Sequence, residues 1–138
     1  MIAIGTYSVT KWEENTCNQI SSEMKMTKAT VEYTITGDIN CQAGVEYLMF
    51  YKYVDSKDPH QSSAIYIGLI RLVGKVHGQE GSFVVEDHGV FDHGIAHSEL
   101  QIIPGSGTGE FKSIHGAGRY RADQKGATFE LDYQLDSK

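Results

Sequence analysis

Apolar and polar residues alternate along most of this chain, and turn residues break the alternation at short intervals, the pattern of β-strands rather than helices. The run Thr30-Val31-Glu32-Tyr33-Thr34-Ile35-Thr36 stops at Gly37-Asp38 and reads as a half-buried strand with Val31, Tyr33 and Ile35 inward. Near the C-terminus Phe129, Leu131, Tyr133 and Leu135 alternate with Thr128, Glu130, Asp132 and Gln134. The pattern predicts about eight strands, over 4 to 13, 26 to 37, 44 to 53, 63 to 77, 81 to 91, 95 to 103, 117 to 121 and 127 to 135. Nothing carries an i, i+3, i+4, i+7 stripe, so helical turns are expected only within 14 to 24 and around Phe111 to Ile114. Sequential strands with short links predict an all-β fold, a single antiparallel up-and-down barrel of about eight strands over residues 1-138. A barrel is preferred to a sandwich because closure removes exposed edges.

Two hairpins decide which side chains point inward. Phe91-Asp92-His93-Gly94-Ile95 suits a two-residue turn at His93-Gly94, since both central residues tolerate positive φ. That register sets Asp87 opposite Leu100, Gly89 opposite Ser98 and Val85 opposite Ile102. The inner face is then Phe83, Val85, Phe91, Ala96, Leu100 and Ile102, and the outer face Glu86, His88, His97, Glu99 and Gln101. Asp87 falls on the apolar face, where a carboxylate without partners costs several kcal/mol or takes up a proton. A turn around Gly78 to Gly81 puts Tyr66, Gly68, Ile70, Leu72 and Gly74 inward as well. The inward glycines mean either an aromatic packed close or room for a ligand. The outward set, Ile65, Ile67, Leu69, Arg71 and Val73, is too apolar for a solvated wall and predicts a homo-oligomer contact.

Glu46 stays open, because the long loop from Val54 to Ser62 does not fix the register of its flanking strands. In one register Glu46 points inward beside Ile70 and near Asp87, where one of two carboxylates would be pushed toward its protonated form. In the other it lies outside opposite Arg71, and Tyr47, Met49 and Tyr51 line the lumen. The inward register is preferred.

Charge and composition narrow the partners. The chain has 138 residues, a net charge of −6, 40% hydrophobic residues and 22% charged ones. The basic residues are scattered, which argues against nucleic acid, and no run approaches the roughly 20 apolar residues of a membrane span. Met1 to Thr10 has no basic segment leading into an apolar run, so a cytoplasmic location is expected. Cys17 and Cys41 fall in segments read as loops and lack CxxC spacing, so no disulfide is expected.

The string Val45-Glu46-Tyr47-Leu48-Met49, then Tyr66-Ile67-Gly68-Leu69-Ile70-Arg71, Gly81-Ser82-Phe83-Val84, Pro104-Gly105-Ser106-Gly107-Thr108-Gly109-Glu110 and Leu131-Asp132-Tyr133 resembles the bacterial DUF3224 family. The resemblance implies an eight-stranded barrel similar to the allene oxide cyclase and dirigent barrels, and no assigned activity. In the family pattern an acid often stands where this chain has Ile70 and a histidine where it has Asp87, so an acid/base pair is not carried over.

Other motifs have plainer readings. Gly105-Ser106-Gly107-Thr108-Gly109 lacks the Lys-Ser/Thr of a P-loop and reads as a structural loop rather than a phosphate cradle. His88, His97 and Glu99, with His93 and Asp92, make a metal site or a solvated polar group; the latter is preferred, and neither metal nor cofactor is expected. Three functions follow. The barrel encloses a small apolar or aromatic molecule at Tyr33, Tyr66, Gly68, Ile70, Val85, Asp87, Ser98, Leu100 and Tyr133. Alternatively it is a cyclase or isomerase in which Asp87 or Glu46 moves a proton, or a ligand-free oligomeric barrel.

Overall fold

A computed structural model of the chain describes residues 1–55, 57–58 and 61–136. The strands are β1 (Ile2–Gln19), β2 (Lys25–Gly37), β3 (Ile39–Tyr53), β4 (Ser63–Val76), β5 (Gln79–Asp92), β6 (Ile95–Ile102), β7 (Thr108–Gly109), β8 (Ile114–Asp123) and β9 (Gly126–Leu135). They form one antiparallel sheet in the order β4-β3-β2-β1-β9-β8-β6-β5-β7, and β4 also pairs with β5. The sheet therefore closes into a ring of its long strands, with β7 attached outside the sequence of closure at Gly81 and Ser82. Among the described residues no helix is long and apolar enough to cross a membrane.

The turn chemistry accounts for the registers. His77-Gly78 and His93-Gly94 have φ of 50, 78, 52 and 83°, the positive pairs that let a two-residue turn follow the strand twist. Val76 consequently faces Gln79 and Asp92 faces Ile95, with Asp87 opposite both Gly68 and Leu100. The inward and outward sets derived for β4, β5 and β6 are those observed, with Ile65, Ile67, Leu69 and Val73 left 41–54% exposed.

Several expectations need correcting. Residues 14 to 19 are strand rather than helical turn, because β1 carries bulges between Val9 and Lys11 and between Thr16 and Asn18 that break its alternation. Phe111 to Ser113 holds only turns before β8 begins at Ile114, and Phe111 is buried as a plug rather than as a helix face. Cys17 and Cys41 both lie in strands, exposed on β1 and buried on β3, and both are free. β3 begins at Ile39, β8 spans Ile114–Asp123, and β7 adds a short strand to the expected set. Glu46 points outward: it sits opposite Leu69 and accepts a 2.8 Å hydrogen bond from Thr30 Oγ1. Arg71 is not its partner, lying instead opposite Gly44 and donating to Ser82 Oγ. The loop that left this register open, Val54 to Ser62, falls partly outside the described residues.

One end of the ring is packed shut. Ile35, Ile39, Leu72, Phe83, Ile102 and Ile114 are buried there, and Phe111 lies edge-on to Phe83 with ring centroids 5.2 Å apart. The glycine loop of residues 105–109 belongs to this plug. Ser106 Oγ donates to Ile103 O and accepts from Val84 N, and a side chain at Gly107 would strike the Phe111 carbonyl, so the loop is structural. Tyr133 is also here, its hydroxyl 2.7 Å from His77 Nδ1.

Candidate functional site

The other end is open. β1 pairs with β9 only from Ile2 to Thr6, after which it stays with β2 and leans away from the β8–β9 turn. A cavity of about 1090 Å³ opens between them, walled by Tyr7, Val9 and Trp12 on β1, Tyr33 on β2, Met49 and Tyr51 on β3, Phe91 on β5 and residues 122 to 127. Val9 and Trp12 face the same side as their buried partners Tyr33 and Val31, yet remain 51% and 49% exposed. Their exposure is therefore to the cavity, an apolar surface of the kind that small-molecule sites present.

The floor is made of tyrosines seated on glycines. A Cβ at Gly68 would lie 2.7 Å from Tyr47 Cδ1, and one at Gly89 would overlap the Tyr66 ring and Ser98 Oγ. The two inward glycines thus make room for aromatic rings, and the rings meet edge-on at 5.1 Å. Tyr120 and Tyr7 complete the layer, their centroids 5.5 Å apart at 80°.

Asp87 lies directly beneath this floor and is fully buried. Its Oδ2 accepts a 2.7 Å hydrogen bond from the Tyr47 hydroxyl, which is 3.2 Å from the Tyr120 hydroxyl. Tyr120 donates to Tyr66 at 2.7 Å, and Tyr66 is 2.8 Å from Ser98 Oγ. Burial raises the Asp87 carboxyl from 3.8 to about 6, against the opposing pull of the Tyr47 and Ser98 hydroxyls. Burial also raises Tyr66 to about 12, and holds Tyr33, Tyr47 and Tyr120 well above the usual phenol value with the Asp87 charge adding to it. Among the described residues, two buried side-chain polar atoms have no hydrogen-bond partner, the Tyr33 hydroxyl and Asp87 Oδ1. At the mouth, Glu14 accepts from Thr27 Oγ1 at 2.6 Å, Tyr51 OH at 2.7 Å and Trp12 Nε1 at 3.1 Å. Lys25 Nζ stands 5.3 Å above the Tyr51 ring.

Of the residues singled out from sequence, Tyr33 and Tyr66 line the cavity, and Asp87 and Ser98 belong to the hydrogen-bonded layer under it. Gly68 seats Tyr47. Ile70, Val85, Leu100 and Tyr133 fill the interior without lining the cavity, and Glu46 is on the outer wall. Tyr47, the residue that touches Asp87, was expected inward only in the register not preferred. Its signal was available: Ile39, Cys41, Ala43 and Val45 alternate with Asn40, Gln42, Gly44 and Glu46, which fixes odd positions of β3 inward. Trp12 and Glu14 were hidden by the bulge before Lys11. On the outer wall His88 Nε2 is 2.8 Å from Glu86 and His88 lies opposite Glu99, while His97 faces Arg121. Among the described residues no group of three or more His, Cys, Asp or Glu is disposed to hold a metal.

Fold and site together define an all-β protein in which a closed antiparallel ring, shut at one end, holds a deep aromatic cavity over a buried carboxylate. The family model described as a protein of unknown function (DUF3224) matches residues 3–135, and the chain belongs to that family. It is similar to the crystal structure of a DUF3224-family protein of unknown function from Shewanella oneidensis MR-1, at 20% identity and a TM-score of 0.76. That match covers 100% of this chain and 98% of the other, and it shows the fold. No curated protein matches the sequence.

Proposed function

We propose that this protein binds a small, largely apolar or aromatic molecule in the open end of its ring, with one hydrogen-bonding end of the ligand directed to the tyrosine floor. The observation that carries this reading is the pairing of an apolar-walled cavity of about 1090 Å³, with Tyr33 in its wall, and two side-chain atoms that are buried and unpartnered among the described residues, Tyr33 OH and, behind the tyrosine floor, Asp87 Oδ1. Buried polar groups are almost always satisfied, so unpaired atoms just behind a cavity wall mark where a ligand's polar end completes the bonding. The closed antiparallel ring supports the allene oxide cyclase-like barrel that the family resemblance implies. An eight-stranded barrel is wide enough to hold one small ligand.

Proton transfer is the second reading. It is favoured by Asp87, whose carboxyl is raised to about 6 and communicates with the cavity through the Tyr47 hydroxyl. The outer stripe of Ile65, Ile67, Leu69 and Val73 supports association with a second copy of the chain.

Trp12, the single tryptophan, lines the cavity and reports on it. Titration with 4-phenylbutanol, excited where only indole absorbs, is expected to shift Trp12 emission to the blue in a saturable way. Tyr33→Phe weakens that binding by about tenfold, the worth of one hydrogen bond. A linear, unsaturable response, or equal affinity in Tyr33→Phe, contradicts the reading.

A further inference from the structure

We propose that the ligand's polar end is a protonated amine, so that the cavity selects small amphiphilic organic ammonium ions. This rests on the binding reading above and adds the charge of the head group. The first ground is a count of hydroxyl protons. Each phenol has one proton to donate, and those of Tyr47 and Tyr120 are committed to Asp87 and Tyr66. What these two hydroxyls offer the cavity is lone pairs. A ligand that reaches these two hydroxyls must bring a donor, and an ammonium has N–H donors and no acceptor; a carboxylate is the reverse.

The second ground is uncompensated charge. Among the described residues Asp87 forms no ion pair with lysine or arginine, and its Oδ1 has no partner. A buried carboxylate of this kind gains from a cation more than from a neutral donor. The third is the wall. Tyr7, Trp12, Tyr33 and Tyr51 present ring surfaces whose quadrupole attracts cations, and one of them, Tyr51, already has the Lys25 ammonium above it. At the mouth Glu14 is held by three neutral donors, and the lining there holds the acids Glu14, Asp55 and Asp123 with the bases Lys25 and Lys125.

Three probes share one scaffold and differ in head-group charge: 4-phenylbutylamine, 4-phenylbutanol and 4-phenylbutyrate. Trp12 emission is expected to give the amine an affinity at least tenfold above the alcohol at pH 7.5, with the acid weakest. In Asp87→Asn the amine and the alcohol converge to within about twofold. Acid should erase the preference in the unmutated protein as well, between pH 7.5 and 5, as Asp87 takes up its proton. The groups facing Asp87 from neighbouring strands are Ser98 and tyrosine hydroxyls, which stay neutral in that range; the charged group on its own strand that bears on it is His88, and Asp87→Asn retains His88 as the control. Alcohol binding as tight as the amine overturns the ammonium assignment and leaves the cavity reading standing. Saturable binding by none of the three overturns both, and tightest binding by the acid overturns the assignment outright. Should Asp87→Asn fail to fold, the pH dependence and the ranking of the three probes decide the matter alone.

Discussion

At the scale of single residues, the arrangement around Asp87 makes a definite statement about stability. Its carboxyl binds a proton more readily in the folded chain, at about 6, than the 3.8 of an unperturbed aspartate. The folded state therefore holds more protons than the unfolded one between these values, and stability falls as pH rises through that window. The contribution is about 3 kcal/mol, fully present below 3.8 and lost above 6. Asp87→Asn keeps an acceptor for Tyr47 and removes the charge, so it should stabilise the protein at pH 7 and change little at pH 4. Chemical denaturation at the two pH values measures the difference, and a variant less stable at pH 7 would identify Asp87 as a structural anion. Asp87→Ala is a poorer probe, because it deprives Tyr47 of its acceptor as well. Gly89 gives a second residue-level test. Its missing side chain is the seat of Tyr66, so Gly89→Ala should cost about 1–3 kcal/mol by overpacking, seen as a lower thermal midpoint.

Elements differ in how plainly the sequence marks them. The β5–β6 hairpin was legible in full, because His93-Gly94 fixes turn, register and facing together, and Asp87 came out inward for that reason alone. β3 was legible only if read from Ile39. Taken from residue 44 onward it has apolar residues on both faces, Leu48 and Phe50 against Val45, Tyr47 and Met49, and the true facing of Glu46 disappears. Half of the candidate site is lost with it, since Tyr47 is the residue that connects Asp87 to the cavity. β1 was read only to residue 13 because two bulges put unpaired residues, Thr10 and Cys17, into the alternation. On the partner strand Val9 and Lys11 face the adjacent residues Tyr33 and Glu32. Deleting Thr10 should therefore leave Trp12 opposite Val31 and facing the cavity, with its emission maximum and cooperative unfolding retained. A shift of Trp12 emission to that of fully solvated indole would show that the bulge, rather than the pairing, orients the strand.

For the whole molecule, closure of the ring settles the edges of most strands but leaves apolar surface bare on both faces of the sheet. Inside, it lies at Val9 and Trp12 and is assigned to a ligand. Outside, β4 presents Ile65, Ile67, Leu69 and Val73 beside Leu48 of β3. Association with a second copy would cover the outer stripe, and Ile67→Lys combined with Leu69→Lys should reduce it without altering the cavity, whose lining lies on the opposite face of the strand. Sedimentation at high concentration reads the result; a monomer in the unmutated protein contradicts it.

Binding in the cavity is the central claim, and native mass spectrometry of the purified, never-unfolded protein tests it most directly, recorded before and after organic extraction and again after adding 4-phenylbutylamine. The account predicts a bound small-molecule mass that extraction removes, or uptake of one amine per chain that Trp12→Ala and Tyr33→Phe weaken. A mass equal to the bare chain throughout, with no uptake at amine concentrations well above those that saturate Trp12 emission, would contradict it.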